Sequence, residues 1–238
     1  MKNFIRLFFL LFILESCSIV SKPSTKQKNL NGTVRLLQFK VFEAIEKNGF
    51  IVKGTEQSGM FAGNNVTIFD KKGFKKEYIV YAEDNKFKEL HKTYKYNRKG
   101  LLLEEREYYT NGELMNTSVF KYKGQKDSLT INEVHSSEGV KNYVHKYDAS
   151  NNIIYMGGNI LTYDSKNNLI KEVNNDAICT YEYDDKSNII KKQYESVYSS
   201  IISIFEYINF DYQGNWTKQI EYRKGKPKFI CERKIEYY

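Results

Sequence analysis

The chain repeats a six-residue phrase: an aromatic residue, Asp, two free positions, Gly or Asn, then Asn. Its clearest copies are Tyr147-Asp148-Ala149-Ser150-Asn151-Asn152, Tyr163-Asp164-Ser165-Lys166-Asn167-Asn168, Tyr183-Asp184-Asp185-Lys186-Ser187-Asn188 and Phe210-Asp211-Tyr212-Gln213-Gly214-Asn215. Looser copies begin at Phe69-Asp70 and Tyr96-Asn97. Each copy reads as a β-hairpin turn. The Asp side chain can accept a hydrogen bond from the backbone two residues on. The next constrained position is Gly73, Gly100, Asn151, Asn167, Ser187 or Gly214. Gly and Asn tolerate a positive φ there, and Ser187 is the weakest fit. A type I turn followed by a left-handed residue makes a three-residue hairpin loop with a bulge.

That loop type fixes a register. The aromatic residue before each turn should face the residue just after it. The predicted pairs are Tyr96 with Leu102, Tyr147 with Ile153, Tyr163 with Leu169, Tyr183 with Ile189 and Phe210 with Trp216. Such cross-strand pairs contribute roughly 0.2–1 kcal/mol each, and a one-residue slip would break the whole set. The strands leading into the turns alternate, as in Tyr94-Lys95-Tyr96, His145-Lys146-Tyr147 and Tyr181-Glu182-Tyr183. A period of two means strand. The strands leading out carry Leu103, Ile154, Ile170 and Ile190 on the opposite face, so neither face is fully wet and the sheet should curl or fold onto itself.

The phrase recurs at intervals of about 25 residues at Asp70, Asn97, Lys123 and Asp148, then at shorter ones, with a second turn inside most intervals. The expected fold is therefore all-β: a long antiparallel meander of repeated hairpins forming a curved, twisted sheet. Its array covers residues 67–238. Residues 30–66 supply N-terminal strands, with Lys47-Asn48-Gly49 as a hairpin turn between Val34–Val41 and Phe50–Lys53. Twenty tyrosines and only two prolines among 238 residues suit strands rather than disorder.

Residues 1–16 read as a signal peptide. Lys2 and Arg6 precede the apolar run Leu7–Leu14, which is too short to span a bilayer. Leu14-Glu15-Ser16-Cys17 resembles the lipobox of bacterial lipoproteins, although Glu15 departs from the small or apolar residue usual there. The resemblance implies lipid attachment at Cys17 and a place in the bacterial cell envelope, on the periplasmic side or at the outer membrane. Residues 17–29 follow as the anchor site and a flexible, polar tether.

The phrase Tyr-Asp-x-x-Gly/Asn-Asn followed by an apolar pair looks like the YD repeats of the Rhs family over about residues 67–222. That similarity implies long, curved antiparallel sheets. The large Rhs proteins enclose a C-terminal toxin. This chain is too short to do so, and only the fold is carried over. Tyr108–Leu114 has a weaker likeness to MORN-type repeats.

The sequence specifies architecture more than activity. His91, His135 and His145 lack metal-ligand spacing, no Cys-x-x-Cys occurs, and there is no nucleophile elbow. His145 stands where a strand aromatic belongs. The Asp ladder offers about one carboxylate per turn, which suits turn capping and not a calcium cage of six to eight oxygens. No metal or cofactor is expected. With Cys17 lipidated, Cys179 and Cys231 are the remaining candidates for a disulfide, which would require a curled array. Trp216 reads as core beside Phe210 rather than as a sugar platform. The formal charge of +8 is spread along the strands, with a cluster at Arg223, Lys224, Lys226, Lys228, Arg233 and Lys234 that reads as a solvated basic rim. Nucleic acid is not an expected partner of an exported chain. The reading is a non-catalytic binding or scaffolding module whose partner is an envelope protein or glycan, held to the membrane by its N-terminal lipid. The alternatives are an immunity-type protein against a secreted toxin or a polysaccharide-acting enzyme.

Overall fold

A computed structural model describes residues 23–57, 64–82, 88–123, 129–137, 139–150 and 152–238. After a single turn of helix, α1 (Ser24–Gln27), every element is a strand: β1 (Val34–Lys47), β2 (Phe50–Gln57), β3 (Asn65–Phe69), β4 (Lys75–Tyr81), β5 (Lys88–Tyr96), β6 (Leu102–Tyr108), β7 (Leu114–Lys123), β8 (Leu129–Ser136) and β9 (Gly139–Tyr147). The second half continues with β10 (Ile153–Met156), β11 (Asn159–Tyr163), β12 (Leu169–Val173), β13 (Ala177–Tyr183), β14 (Ile189–Ser196), β15 (Ser200–Phe210), β16 (Trp216–Arg223) and β17 (Lys226–Tyr237).

The all-β antiparallel expectation holds, and the open sheet does not. From β3 to β17 each strand pairs with the next, and β17 then pairs with β1 from Val34↔Tyr237 to Glu43↔Phe229. On its other edge β1 carries β2 through Val41–Lys47 and β3 through Leu36–Phe39, so these two lie end to end in one position. The 17 strands thus close a ring of 16 positions. A closed ring leaves no long edge to pair with a stranger.

All five predicted turn pairs are present: Tyr96↔Leu102, Tyr147↔Ile153, Tyr163↔Leu169, Tyr183↔Ile189 and Phe210↔Trp216. The predicted left-handed positions are occupied by Gly73 (φ 84°), Gly100 (78°), Asn167 (65°), Ser187 (62°) and Gly214 (78°). Asn151 lies outside the described residues. Three tyrosines brace the junctions after these turns. The hydroxyls of Tyr122, Tyr183 and Tyr207 donate to the carbonyls of Leu102, Leu169 and Ile189, each at 2.8 Å. Those carbonyls belong to the first residue after a turn on the neighbouring strand, beside the bulge.

Apolar burial concentrates at the seam where the ring closes. One cluster joins Leu30, Val34, Leu37 and Phe69 with Ile235 and Tyr237; a second joins Val41, Trp216 and Cys231 with Phe39, Tyr207 and Phe229. The outward face mixes charged and apolar side chains. Lys95, Arg106, Lys121, Lys146, Lys171 and Glu182 stand exposed on successive parts of the wall. A lipid-facing barrel wall carries an apolar band about 25 Å tall, and Lys or Arg at its midplane costs about 2–4 kcal/mol each. On this wall such charged positions share the outer face with exposed Ile178, Ile202 and Ile204.

Ser187 is a non-glycine residue held left-handed, a conformation that costs roughly 1–2 kcal/mol for L residues. Ser187→Gly is expected to raise the unfolding free energy by about 1 kcal/mol, read as a higher urea midpoint at unchanged slope. A midpoint that stays put or falls would contradict the turn assignment.

Candidate functional site: a plugged mouth and the lumen behind it

Every phrase turn lies at the same end of the ring. In each, the Asp or Asn side chain accepts two backbone N–H groups through Oδ1. Lys72 and Phe74 donate to Asp70, Lys99 and Leu101 to Asn97, and Ser150 and Asn152 to Asp148. Asp164, Asp184 and Asp211 repeat the pattern. Burial slightly opposes ionisation of Asp164, but hydrogen bonds from Asn168 and Lys166 outweigh it and hold that carboxyl below its usual range. Each of these six side chains thus holds the backbone of its own turn.

The final Asn of the phrase, to which the sequence assigned no role, does two things. In three turns its side-chain amide closes onto the Asp: Asn152 to Asp148, Asn168 to Asp164 and Asn188 to Asp184, at 2.8–2.9 Å. In two it also receives the N-terminal segment. Asn29 donates to the Lys186 carbonyl at 2.7 Å and to Asn188 Oδ1 at 3.3 Å. The Asn31 N–H donates to Asn215 Oδ1 at 2.7 Å, and Asn215 donates back to the Asn31 carbonyl at 3.0 Å. The freed Asp211 Oδ2 accepts instead from the Tyr237 hydroxyl.

Residues 23–33 therefore do not form the free tether expected through residue 29. They lie across the mouth of the ring. Thr25 N–H donates to the Gly73 carbonyl at 3.1 Å, and Ser24 Oγ accepts from the Lys75 N–H at 3.1 Å. A Cβ on Gly73 would collide with Thr25 Oγ1, so that glycine serves both the turn and the docking. Leu30, 2% exposed, is driven into the seam cluster.

The same segment identifies the inner face. Lys28 stands among Lys75 and Tyr78 of β4, Leu90, Lys92 and Tyr94 of β5, and Glu105 of β6, lining a cavity of about 440 Å³. Asn29, the very next residue, reaches the β13–β14 turn on the far side of the ring order. Opposing walls are therefore spanned by consecutive residues, and the face carrying Tyr78, Tyr94, Trp216 and Arg233 is the lumen.

The lumen is polar and aromatic. Lys92 bonds Glu105 at 2.8 Å and Glu107 at 3.1 Å. Desolvation works against the Lys92 charge, but these two carboxylates outweigh it and raise its pKa. Lys75 Nζ sits 4.2 Å from the Tyr94 ring centroid, and burial lowers its pKa despite Glu105 nearby. The surface of Lys28 is accessible, yet it opens into the barrel. Burial, then repulsion from Lys75 and Arg233, brings its pKa down to about 8. Burial raises the pKa of the Tyr78 and Tyr94 hydroxyls, so both stay protonated. On the next stretch of wall the Arg233 guanidinium lies 3.5 Å from the Trp216 ring centroid. Phe39 and Tyr207 complete the box around that ring, at 6.1 and 5.5 Å.

Other expectations divide. Trp216 is core, as read. The basic cluster is not one rim: Arg233 faces the lumen, while Lys234 on the alternate face pairs with Glu236 at 3.0 Å. Cys179 on β13 and Cys231 on β17 are separate, buried free thiols. Four inter-strand steps of about 4.8 Å divide them, beyond the reach of a disulfide. Burial pushes the Cys231 thiol up to about 12. His145 is buried against Phe120, with ring centroids 6.1 Å apart. No group of three or more His, Cys, Asp or Glu side chains that could hold a metal occurs among the described residues. Cys17 lies outside them.

No family model and no curated protein matches the chain. Among solved structures it is similar to a porin-like protein from Bacteroides uniformis, with 12% identity and a TM-score of 0.39 over 87% of this chain and 98% of that one. It is also similar to a chain of the TcdB2–TccC3–Cdc42 complex, at 11% identity and a TM-score of 0.31 over 83% of this chain. A chain of TcdB2–TccC3–TEV gives 10% identity and 0.22 over 85%. The chain spans 15% and 13% of the length of those last two.

Two outcomes follow for the site. Leu30→Ala is expected to destabilise the protein by about 2–5 kcal/mol, as for other buried Leu truncations, because the plug is part of the core. A change within about 0.5 kcal/mol in urea unfolding would show the plug to be dispensable. Burial lowers the His145 pKa from 6.5, so the unfolded chain binds that proton more readily. Its stabilising contribution is full above the ordinary histidine range and declines as pH falls through it. His145→Phe should flatten the stability profile between about pH 7 and 5. An unaltered profile would show that another group sets the acid limb.

Proposed function

We propose that the chain is an exported, lipid-anchored β-barrel that serves as a non-catalytic binding module in the bacterial cell envelope, taking its ligand into the lumen. The observation that carries this reading is the make-up of the lumen. A tyrosine-rich, charged interior is covered at one mouth by the chain's own N-terminus, inside a wall whose outer face carries both charged and apolar side chains. The similarity of the turns to YD repeats supports a long, curved antiparallel sheet. Between Cys17 and Pro23 only a few residues remain, at most roughly 20 Å of extended chain. A lipid on Cys17 therefore holds the plugged mouth close to its membrane and turns the other mouth away from it.

The test is a crosslinking capture from the protein's own cells, with mass spectrometry of the N-terminal peptide. We expect a diacylglyceryl-modified Cys17, recovery in the membrane fraction, and transfer of Cys17→Ser to the soluble fraction. We also expect a specific envelope glycan or protein to be enriched without turnover. An unmodified Cys17, or degradation of an envelope glycan by the purified protein, would overturn the respective half of the reading.

A further inference from the structure

The lumen beside the plug holds more positive charge than it neutralises. Among the described residues, the two carboxylates of this region, Glu105 and Glu107, are both engaged by Lys92. Lys28 has no carboxylate partner, and Lys75 leans on the Tyr94 ring and, at 5.7 Å, on that of Tyr78. A third cation, Arg233, stands near enough to repel Lys28, and its buried Nε has no hydrogen-bond partner. The second observation is shape. Lys28, Lys75 and Lys92 converge on one partly open recess of about 440 Å³, with Tyr78, Tyr94 and Leu90 as its apolar side.

We propose that this cavity is an anion-binding site, in which Lys28 of the plug and Lys75 of β4 hold the carboxylate or phosphate of a small acidic ligand and Tyr78, Tyr94 and Leu90 cover the ligand's carbon skeleton. The inference rests on the lumen-binding reading above and names the chemistry of its ligand. The cavity volume is that of a small-molecule site of one or two sugar rings. Arg233 adds field from the adjoining wall without leaving its place on Trp216. Because Lys28 belongs to the plug, an anion bound here also ties the N-terminal segment to the β4–β6 wall. Ligand and anchor are thereby coupled through one side chain.

The probes are galacturonate, glycerol 3-phosphate and, as a neutral twin, galactose, titrated calorimetrically into the full mature chain. At least one anion should bind at least tenfold more tightly than galactose. Lys28→Gln and Lys75→Gln should each weaken that anion at least tenfold while thermal midpoints shift by no more than a few degrees. Preference for galacturonate identifies an acidic polysaccharide as the source, and preference for glycerol 3-phosphate identifies a phosphorylated headgroup or polymer. Binding should weaken as pH rises through about 8, where Lys28 loses its proton. The other groups facing it are Lys75, Tyr78, Lys92, Tyr94, Glu105 and Arg233, of which Lys75 is shifted in the same direction. A 13C-methylated Lys28 resonance gives a second readout, since a bound anion must move its titration upward. No preference for either anion over galactose, or wild-type affinity in Lys28→Gln, would overturn the assignment. Capture of a neutral glycan from cells would then leave the lumen-binding reading standing while the anion site falls. Absence of any captured ligand would remove both.

Discussion

The structure depends on one pairing, that of β1 with β17. Residues 34–43 meet residues 229–237, and until they do the chain is an open sheet with two long edges. Joining segments so far apart in sequence carries the largest loop-closure entropy in the molecule. The apolar residues are spent at that seam. Both core clusters lie on β1, β3, β16, β17 and the plug, and the rest of the wall is held mainly by ladders, turn caps and tyrosine braces. The distribution follows from a difference in need. A hairpin closes locally and needs little burial to hold its register, whereas the seam must be stabilised by removing apolar surface from water.

Closure also gives the repeated turns a second use. In an open sheet a row of Asp–Asn turns is an edge feature. In a ring it becomes a rim, and a segment laid across the mouth can be hydrogen-bonded from several sides. Asn188 and Asn215 receive the plug on one side and the Asp70–Gly73 turn receives it on another. The turn Asp would suffice for the hairpin. The trailing Asn is what makes the rim adhesive, which explains why its amide turns to the plug at Asn215 while Tyr237 takes its place on Asp211.

The local part of this architecture was legible in the sequence and the long-range part was not. A turn type, a left-handed residue and an aromatic–aliphatic pair all lie within about seven residues, so their geometry is written in the phrase itself, and the pairs from Tyr96↔Leu102 to Phe210↔Trp216 were readable. Nothing in residues 34–43 advertises residues 229–237, because both are ordinary alternating strands. The segment 23–29 looked like a tether because its composition is polar. Its order comes from groups far along the chain, Gly73 and Lys75 for residues 24–25 and Lys186 and Asn188 for Asn29. Two signals were present and passed over. Alternation alone separates Arg233 from Lys234, since a strand cannot put neighbours on one face. Leu30, an isolated apolar residue at the end of a polar run, marked the point where the chain enters the core.

Charge inside the barrel is the feature that folding does not explain. Stability alone would favour a lumen in which every cation had a carboxylate, as Lys92 does with Glu105 and Glu107. Lys28 and Arg233 break that rule, each with its charged form disfavoured by burial, and they do so beside the best-packed part of the molecule. Replacing Lys28 by an apolar residue would relieve its repulsion from Lys75 and Arg233, whereas Arg233 is held in place by the Trp216 ring. Residues that oppose local stability while the surrounding structure holds them in place are where function is expected to reside. The remainder of the chain is consistent from turn chemistry to ring closure, and the exceptions lie on the lumen face. Lys192 stands on the same face over the Tyr181 ring, so what distinguishes the site is not a lone cation but the convergence of Lys28, Lys75 and Lys92 on one recess beside an aromatic wall.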